Sequence, residues 1–427
     1  MTTSIYWFRQ DLRLHDNPAL VHAIKNSSAL LPVYCCPHNV PGRWLDKRVG
    51  EHRQAFIKQT YSGLKQQLQI KGSDLMLLEG NAVTALIDCA SKFQIRHIFC
   101  EEIAAPEEQA DIAALREAGL IVTTLWQSSL LNPSELPFPI NHLPAVFTGF
   151  RHEIERKRCT PPKPLPAPDQ LPPLPRLTTS NHFGFVLETA AREEPRSSFP
   201  YHLASFNGSE QAGLTHVQVY FASDLAQRYK LTRNGLIGTE CSTKFSPWLA
   251  TGALSARQIF VALRQHEQQF GANDSTYWIW FELLWRDYFR FLHLQYGASL
   301  YRTRGLANAT TATMHSPQKF QHWCQGRTGE PLVDAGMREL AASGYLSNRM
   351  RQIVASYLVH DLGCDYRAGA AWFEQQLLDY DPYSNQGNWL YGAGLGTDPR
   401  GGRRFNPEKR IHELDANGAY RLQWAST

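Results

Sequence analysis

The chain lacks several features that would narrow its class at once. It has no polybasic tail, and 43 Lys and Arg against 39 Asp and Glu leave a formal charge of only +4. An anionic partner must therefore meet a local patch rather than a global field. No C-x-x-C pair occurs among the eight cysteines (35, 36, 89, 100, 159, 241, 324 and 364). That argues against structural zinc or a disulfide frame, and for a reducing compartment. No apolar run approaches membrane-spanning length, no charged-then-apolar leader precedes Ile5, and no internal repeat is visible. The expectation is a soluble cytoplasmic protein with no metal and no membrane partner.

What is present is length, aromatics and a change of pattern along the chain. At 427 residues, 43% of them hydrophobic, the chain is long for one core, so two or three domains are expected. Eleven tryptophans invite a search for stacking surfaces. Apolar, β-branched and aromatic runs recur at Ile5–Phe8, Leu30–Cys36, Leu75–Leu78, Ile95–Cys100 and Leu120–Trp126, with helical patterns between them. Five such strands with crossover helices predict a doubly wound parallel α/β domain, whose ligands sit beyond the carboxyl ends of its strands. Then Pro161, Pro162, Pro164, Pro166, Pro168, Pro172, Pro173 and Pro175 forbid a helix or central strand and predict an extended surface connector. From about Gly208 the pattern turns helical, with caps at Ser255, Asn273 or Asp274, and Ser316-Pro317.

Chemistry gathers in that helical part. "YWIWFELLWRDYFRF" puts Glu282, Trp285, Arg286 and Phe289 on one helical face, either a site or a core helix with a satisfied Glu–Arg pair. "YLSNRMRQIVASYLVHDL" places Asn348, Arg349, Arg351 and Gln352 at a helix start, an anion site if they converge and a solvated basic turn if they do not. "TECSTKFSPWLATGALS" offers Ser242, Thr243, Lys244 and Ser246 ahead of a helix, suited to a phosphate or simply to capping. In "LLDYDPYSNQGNWLYGAGLGTDPRGG" the glycines follow turn-like Asp-Pro, Ser-Asn and Asn-Trp pairs rather than a strand, so a dinucleotide fingerprint is a poor reading. A Gly-rich surface loop is the plainer one.

Taken together and in order, "WFRQDLRLHDNPAL", "STKFSPWLATGALS", "FELLWRDYFRF", "GYLSNRMRQIVASYLVHDLGCDYR" and "DYDPYSNQGNWLYGAGLGTDPR" resemble the photolyase/cryptochrome family, and most closely its DASH branch. The similarity runs over essentially the whole chain. It implies an α/β antenna domain (residues 1–132), a Pro-rich connector (133–207) and an all-α FAD-binding domain (208–427) that holds FAD in a U shape. A chain that ends soon after the helical part is expected, without the long extension typical of signalling cryptochromes in plants and animals.

The resemblance also implies residue roles. Asp379, paired to Arg351, and Asp381 would face the flavin, and Asn385 would lie against its N5. Tyr229, Ser242, Thr243, Lys244, Phe245 and Ser246 would grip the diphosphate and its surroundings. Glu282, Arg286 and Asn348 would reach flavin or adenine. A light-driven lyase acting on cyclobutane pyrimidine dimers is implied. Glu282 and Asn348 would hydrogen-bond the dimer and Trp285 and Tyr391 would flank it. Tyr391 and Gln352 stand where duplex-repairing members carry Trp and Met. Both changes are usual in the DASH branch, which acts on single-stranded DNA. The other functional class is a blue-light photoreceptor with little repair. Of the family's three electron-relaying tryptophans Trp389 matches the first, while Tyr366 and Thr313 stand at the second and third. Trp372 and Tyr383 are possible substitutes. A methenyltetrahydrofolate antenna is implied, held partly by Glu107, with a deazaflavin or an empty pocket as alternatives. A monomer is expected.

Overall fold

The structure, a computed structural model, describes residues 2–37, 39–175, 191–307, 315–398 and 400–425. Five parallel strands form one sheet in the order β3-β2-β1-β4-β5: β1 Thr2–Phe8, β2 Ser27–Cys35, β3 Met76–Leu78, β4 His97–Glu101 and β5 Ile121–Leu125. Each matches an apolar run read from the sequence. The central strand is apolar from Ile5 to Phe8 because both its faces are covered. Ile5 and Trp7 enter one core cluster, Tyr6 and Phe8 the opposite one, as the two-residue period of a strand requires. This is the expected doubly wound domain.

Beyond β1 the helical part docks against the carboxyl end of the sheet. The Arg13 guanidinium donates to the Gly252 carbonyl at 2.9 Å. Arg257 pairs with the fully buried Asp16 at 2.8 Å. Glu210 accepts from the backbone of Leu14 and His15. The carboxyl end of β1, where a ligand was expected, thus faces the helical part, with a pocket lined by Gln10, Arg13, Gln127, Leu249, Arg286 and Arg290 between them. Residues 159–175 adopt neither helix nor strand, consistent with their prolines.

The helical part is ordered by its caps. Ser255 closes a capping box at the start of Ala256–Phe270, Asn273 another at Asp274–Tyr296, and Ser316 caps Pro317–Cys324. Within the stretch read as a Gly-rich surface loop, Pro382–Ala393 is a helix, with Tyr383 and Trp389 buried, and the described part from Gly394 onward is not helical. Asp381-Pro382 is not a turn but a cap followed by proline at the first helical position, where its missing N–H costs nothing. Gly394, at φ 72°, ends that helix in the left-handed conformation. Gly387 lies so close to Phe289 that an added Cβ would stand 2.1 Å from its ring. Among the described residues no helix is long and apolar enough to cross a membrane, no group of three His, Cys, Asp or Glu is placed to hold a metal, and the cysteines are all free.

Candidate functional site

The helix Pro382–Ala393 packs against three others, Asp274–Tyr296, Asn348–Ser356 and Tyr366–Gln376, and the chemistry-bearing residues come together along these contacts. Glu282 and Arg286, one turn apart, do not pair. Glu282 accepts from the Arg233 guanidinium at 2.5 Å. Arg286 donates to the Ser128 and Leu249 carbonyls at 2.5 and 3.5 Å. The satisfied Glu–Arg core pair is therefore absent. Burial holds the Glu282 carboxyl above its usual range even with Arg233 beside it.

The two aspartates of the motif have different surroundings. Asp381 caps its helix and receives the Arg290 fork at 3.1 and 3.2 Å, both side chains buried. Burial pushes its carboxyl up, but Arg290, Arg286 and the Ser384 hydroxyl together hold it below the ordinary value. Asp379 takes Arg351 at 2.8 Å through Oδ2, while its buried Oδ1 finds no partner. A buried, unsatisfied carboxylate oxygen marks a place where a ligand donor fits. Asn385 is half-buried, its amide nitrogen donating to the Ala370 carbonyl at 3.0 Å.

At Ser242–Ser246 the backbone itself is unusual. Ser242 (φ 74°) and Lys244 (φ 58°) both occupy the left-handed region, which costs a non-glycine residue of the order of 1 kcal/mol or more each and persists where the surroundings impose it. Such alternation turns successive N–H groups into an anion-binding concavity. Lys244 is buried to 2 %, and burial lowers its pKa to about 8. Its ammonium lies 4.9 Å over the Tyr345 ring, and among the described residues no carboxylate pairs with it. Tyr229 is buried at the end of its helix, close enough to Glu282 to feel its charge. The Phe245 side chain contributes nothing to such a site. Its ring packs into the core against Tyr220, Phe221 and His216, so only its backbone remains available.

Trp285 and Tyr391 meet edge to face at 5.6 Å, on the wall of a partly open pocket also lined by Phe147, Phe289, Asp398 and Arg400. Phe147 stacks flat on Trp285 at 3.8 Å, and Arg403 donates to the Tyr391 hydroxyl. Asn348 is exposed at its helix start. Arg349 is held by Asn234 and Gln352, both at 2.8 Å, whereas Arg351 turns to Asp379. The two arginines therefore do not converge on one anion site.

Glu107 is 70% exposed and pairs with Arg48 at 2.7 Å, which also bridges to Glu374. Trp389 is buried against Phe373 and Trp323. Tyr366 is buried with its hydroxyl on the Arg302 carbonyl at 2.8 Å, and the half-buried Trp372 keeps an unpartnered indole nitrogen. Thr313 lies outside the described residues. Sequence reasoning missed Arg233, Arg290, Phe147 and Arg403. Arg290 had a signal, lying one turn beyond Arg286 on the same face. The others arrive from distant segments with no local pattern to announce them.

With this geometry in hand, the chain can be set beside known proteins. Residues 4–169 match the family described as DNA photolyase, and residues 278–427 match the FAD binding domain of DNA photolyase. The Cryptochrome DASH of Vibrio parahaemolyticus is 42% identical, the match covering 98% of this chain and 92% of that protein. The chain belongs to the photolyase/cryptochrome family, in its DASH branch. The Cryptochrome DASH of Xenopus laevis is 41% identical across 97% of this chain and 81% of its own. The crystal structure of the Synechocystis cryptochrome superposes with a TM-score of 0.90 at 39% identity, covering 99% of this chain and 88% of that one.

FAD is the group that a domain of this family holds. The residues present fit it. A flavin offers N–H donors for the orphaned Asp379 Oδ1, and its diphosphate suits a strained backbone nest beside a buried lysine that makes no salt bridge among the described residues. An acidic or apolar lining at Ser242–Lys244 would have argued against it.

Proposed function

We propose that the protein is a blue-light-activated lyase for cyclobutane pyrimidine dimers in single-stranded DNA, acting as a monomer. Residues 208–427 are its catalytic unit, joined through residues 133–207 to an antenna unit, 1–132. Asp379, Asp381, Asn385 and Arg351 would hold the flavin ring side of FAD, Ser242–Ser246 and Tyr229 its diphosphate, and Arg286 and Asn348 its remaining edges. Bound and reduced there, FAD supplies the light-driven electron that splits the dimer.

The chain's own work is to bind and orient the lesion. The observation that carries this reading is the pair of rings, Trp285 and Tyr391, on the wall of one pocket with Glu282 one turn from Trp285. Aromatic faces stack on unpaired bases for about 1–3 kcal/mol each. Phe147, flat against Trp285, fixes that ring before the lesion arrives. The Glu282 carboxyl, paired to Arg233, can accept a hydrogen bond from a base edge once Arg233 yields. Asn348 adds a second exposed amide, and Gln352 stays occupied by Arg349. With Tyr391 rather than a second indole, the pocket offers less stacking surface to offset extraction of a dimer from a duplex, and an already unpaired lesion carries little of that cost.

A methenyltetrahydrofolate antenna would engage Glu107. Its exposed pair with Arg48 is worth little and yields to a ligand at small cost. The experiment is reconstitution with FAD, chemical reduction, then illumination with a dimer in a single-stranded oligonucleotide. Flavin uptake with light-dependent repair is expected. Flavin uptake with no repair on single strands would remove the lyase reading.

A further inference from the structure

The family's wire of tryptophans is interrupted here, and the structure offers Trp389 a different neighbour. Resting on the flavin reading above, we propose that an electron vacancy formed on Trp389 passes to Trp323, not to Tyr366, and leaves through the contacting rings Phe320, His315 and Trp44. Among the described residues Trp389 touches two rings: Phe373 at 5.1 Å and the indole of Trp323 at 6.4 Å, edge to face. Of these only the indole is readily oxidised. Phe373 also contacts Trp323, at 6.2 Å and nearly parallel, so the two indoles share a packed neighbour with no gap between them.

Tyr366 is a poor relay in its own setting. Oxidising a phenol at ordinary potentials requires losing its proton, and the Tyr366 hydroxyl donates to the backbone carbonyl of Arg302, which cannot take one. Burial also pushes its pKa up to about 12. The Trp323 N–H likewise donates to a carbonyl, that of Val354 at 3.0 Å. An indole can nevertheless give up an electron and keep its proton, so the same absence of a base does not stop it. Trp372 and Tyr383, named from the sequence as possible substitutes, are not among the ring contacts of Trp389; Tyr383 packs instead against Trp126 and His293.

Trp323 is fully buried, so a dissolved reductant cannot reach it. Phe320 stacks on it at 6.1 Å, His315 contacts Phe320 at 5.6 Å, and Trp44, half-buried on the antenna side, contacts His315 at 4.7 Å. The electron balance is one electron per step: Trp389 gives one to the light-excited oxidised flavin, Trp323 refills Trp389, Trp44 refills Trp323, and an external thiol refills Trp44, with no proton required at the buried positions.

The test is time-resolved absorption of the oxidised, FAD-loaded protein after a light pulse. In the unaltered protein a tryptophan cation radical should outlive the first transfer and no tyrosyl radical should form. A tyrosyl radical would overturn the proposal without any variant being made. Trp323→Phe should lose the long-lived radical and most thiol-dependent photoreduction while keeping its flavin and its repair in the chemically reduced state. Those two retained properties report the flavin reading separately. An unchanged radical in Trp323→Phe would refute the route. Trp44→Phe should keep the early radical but slow its refilling by thiol, and unchanged refilling would refute the exit.

Discussion

Replacing Asp381 with Asn isolates one buried charge from everything else the residue does. Asn caps helices about as well as Asp, so the start of Pro382–Ala393 is preserved and the roughly 1 kcal/mol of a lost cap does not enter. What goes is the counter-ion of Arg290, whose guanidinium is buried and whose Nε already lacks a partner. Removing one member of a buried pair typically costs about 3–5 kcal/mol, because the other charge stays in a low-dielectric site. Asp381→Asn should therefore lower the stability of the helical part by that amount near neutral pH, read by urea unfolding followed through tryptophan fluorescence. The sign of the pH dependence is fixed. Asp381's folded pKa is depressed, so its contribution is present above the unfolded value of about 3.9 and is lost as pH falls through the folded one. Wild type and variant should converge on acidification. The double variant Asp381→Asn with Arg290→Met should recover most of the loss. A cost below about 1 kcal/mol, or no recovery in the double variant, would refute the argument that this pair holds the two helices together.

Glu282→Ala should keep its flavin and lose roughly 1.5–3 kcal/mol of dimer binding, the worth of a hydrogen bond involving a charged group; unchanged repair would mean the lesion sits elsewhere. Lys244→Met should release flavin readily, and in the unaltered protein flavin affinity should fall as pH rises through about 8, where the free lysine loses its charge; fluorescence titration across that range checks both. Gly387→Ala should destabilise the protein by about 1–3 kcal/mol or more, since the new Cβ would press into the Phe289 ring, and thermal unfolding would reveal a neutral result if the helices can slide apart.

Much of this fold is written locally. The strand runs are short, apolar and bounded by turn residues, and the caps Ser255, Asn273 and Ser316 announce their helices because capping is chemistry between residues three apart. The same local logic misled at Asp381-Pro382. An Asp-Pro pair reads equally as a turn or as a helix start, and only packing of Tyr383 and Trp389 into the core decides. Within the candidate site the Arg351–Asp379 pair was legible only through the family resemblance. The partners that hold the other charges, Arg233 on Glu282 and Arg290 on Asp381, are tertiary choices made across 49 and 91 residues of chain. So is the placing of Trp323 beside Trp389.

The lyase reading stands most directly on where repair happens. Reduced, FAD-loaded protein should be illuminated with the same pyrimidine dimer placed in a single-stranded oligonucleotide and in its duplex, with a dark control for each. The account predicts light-dependent loss of the dimer on the single strand and much slower loss in the duplex. Equal repair of both would contradict the argument from Tyr391 and Gln352, and no repair of either would contradict the lesion pocket itself.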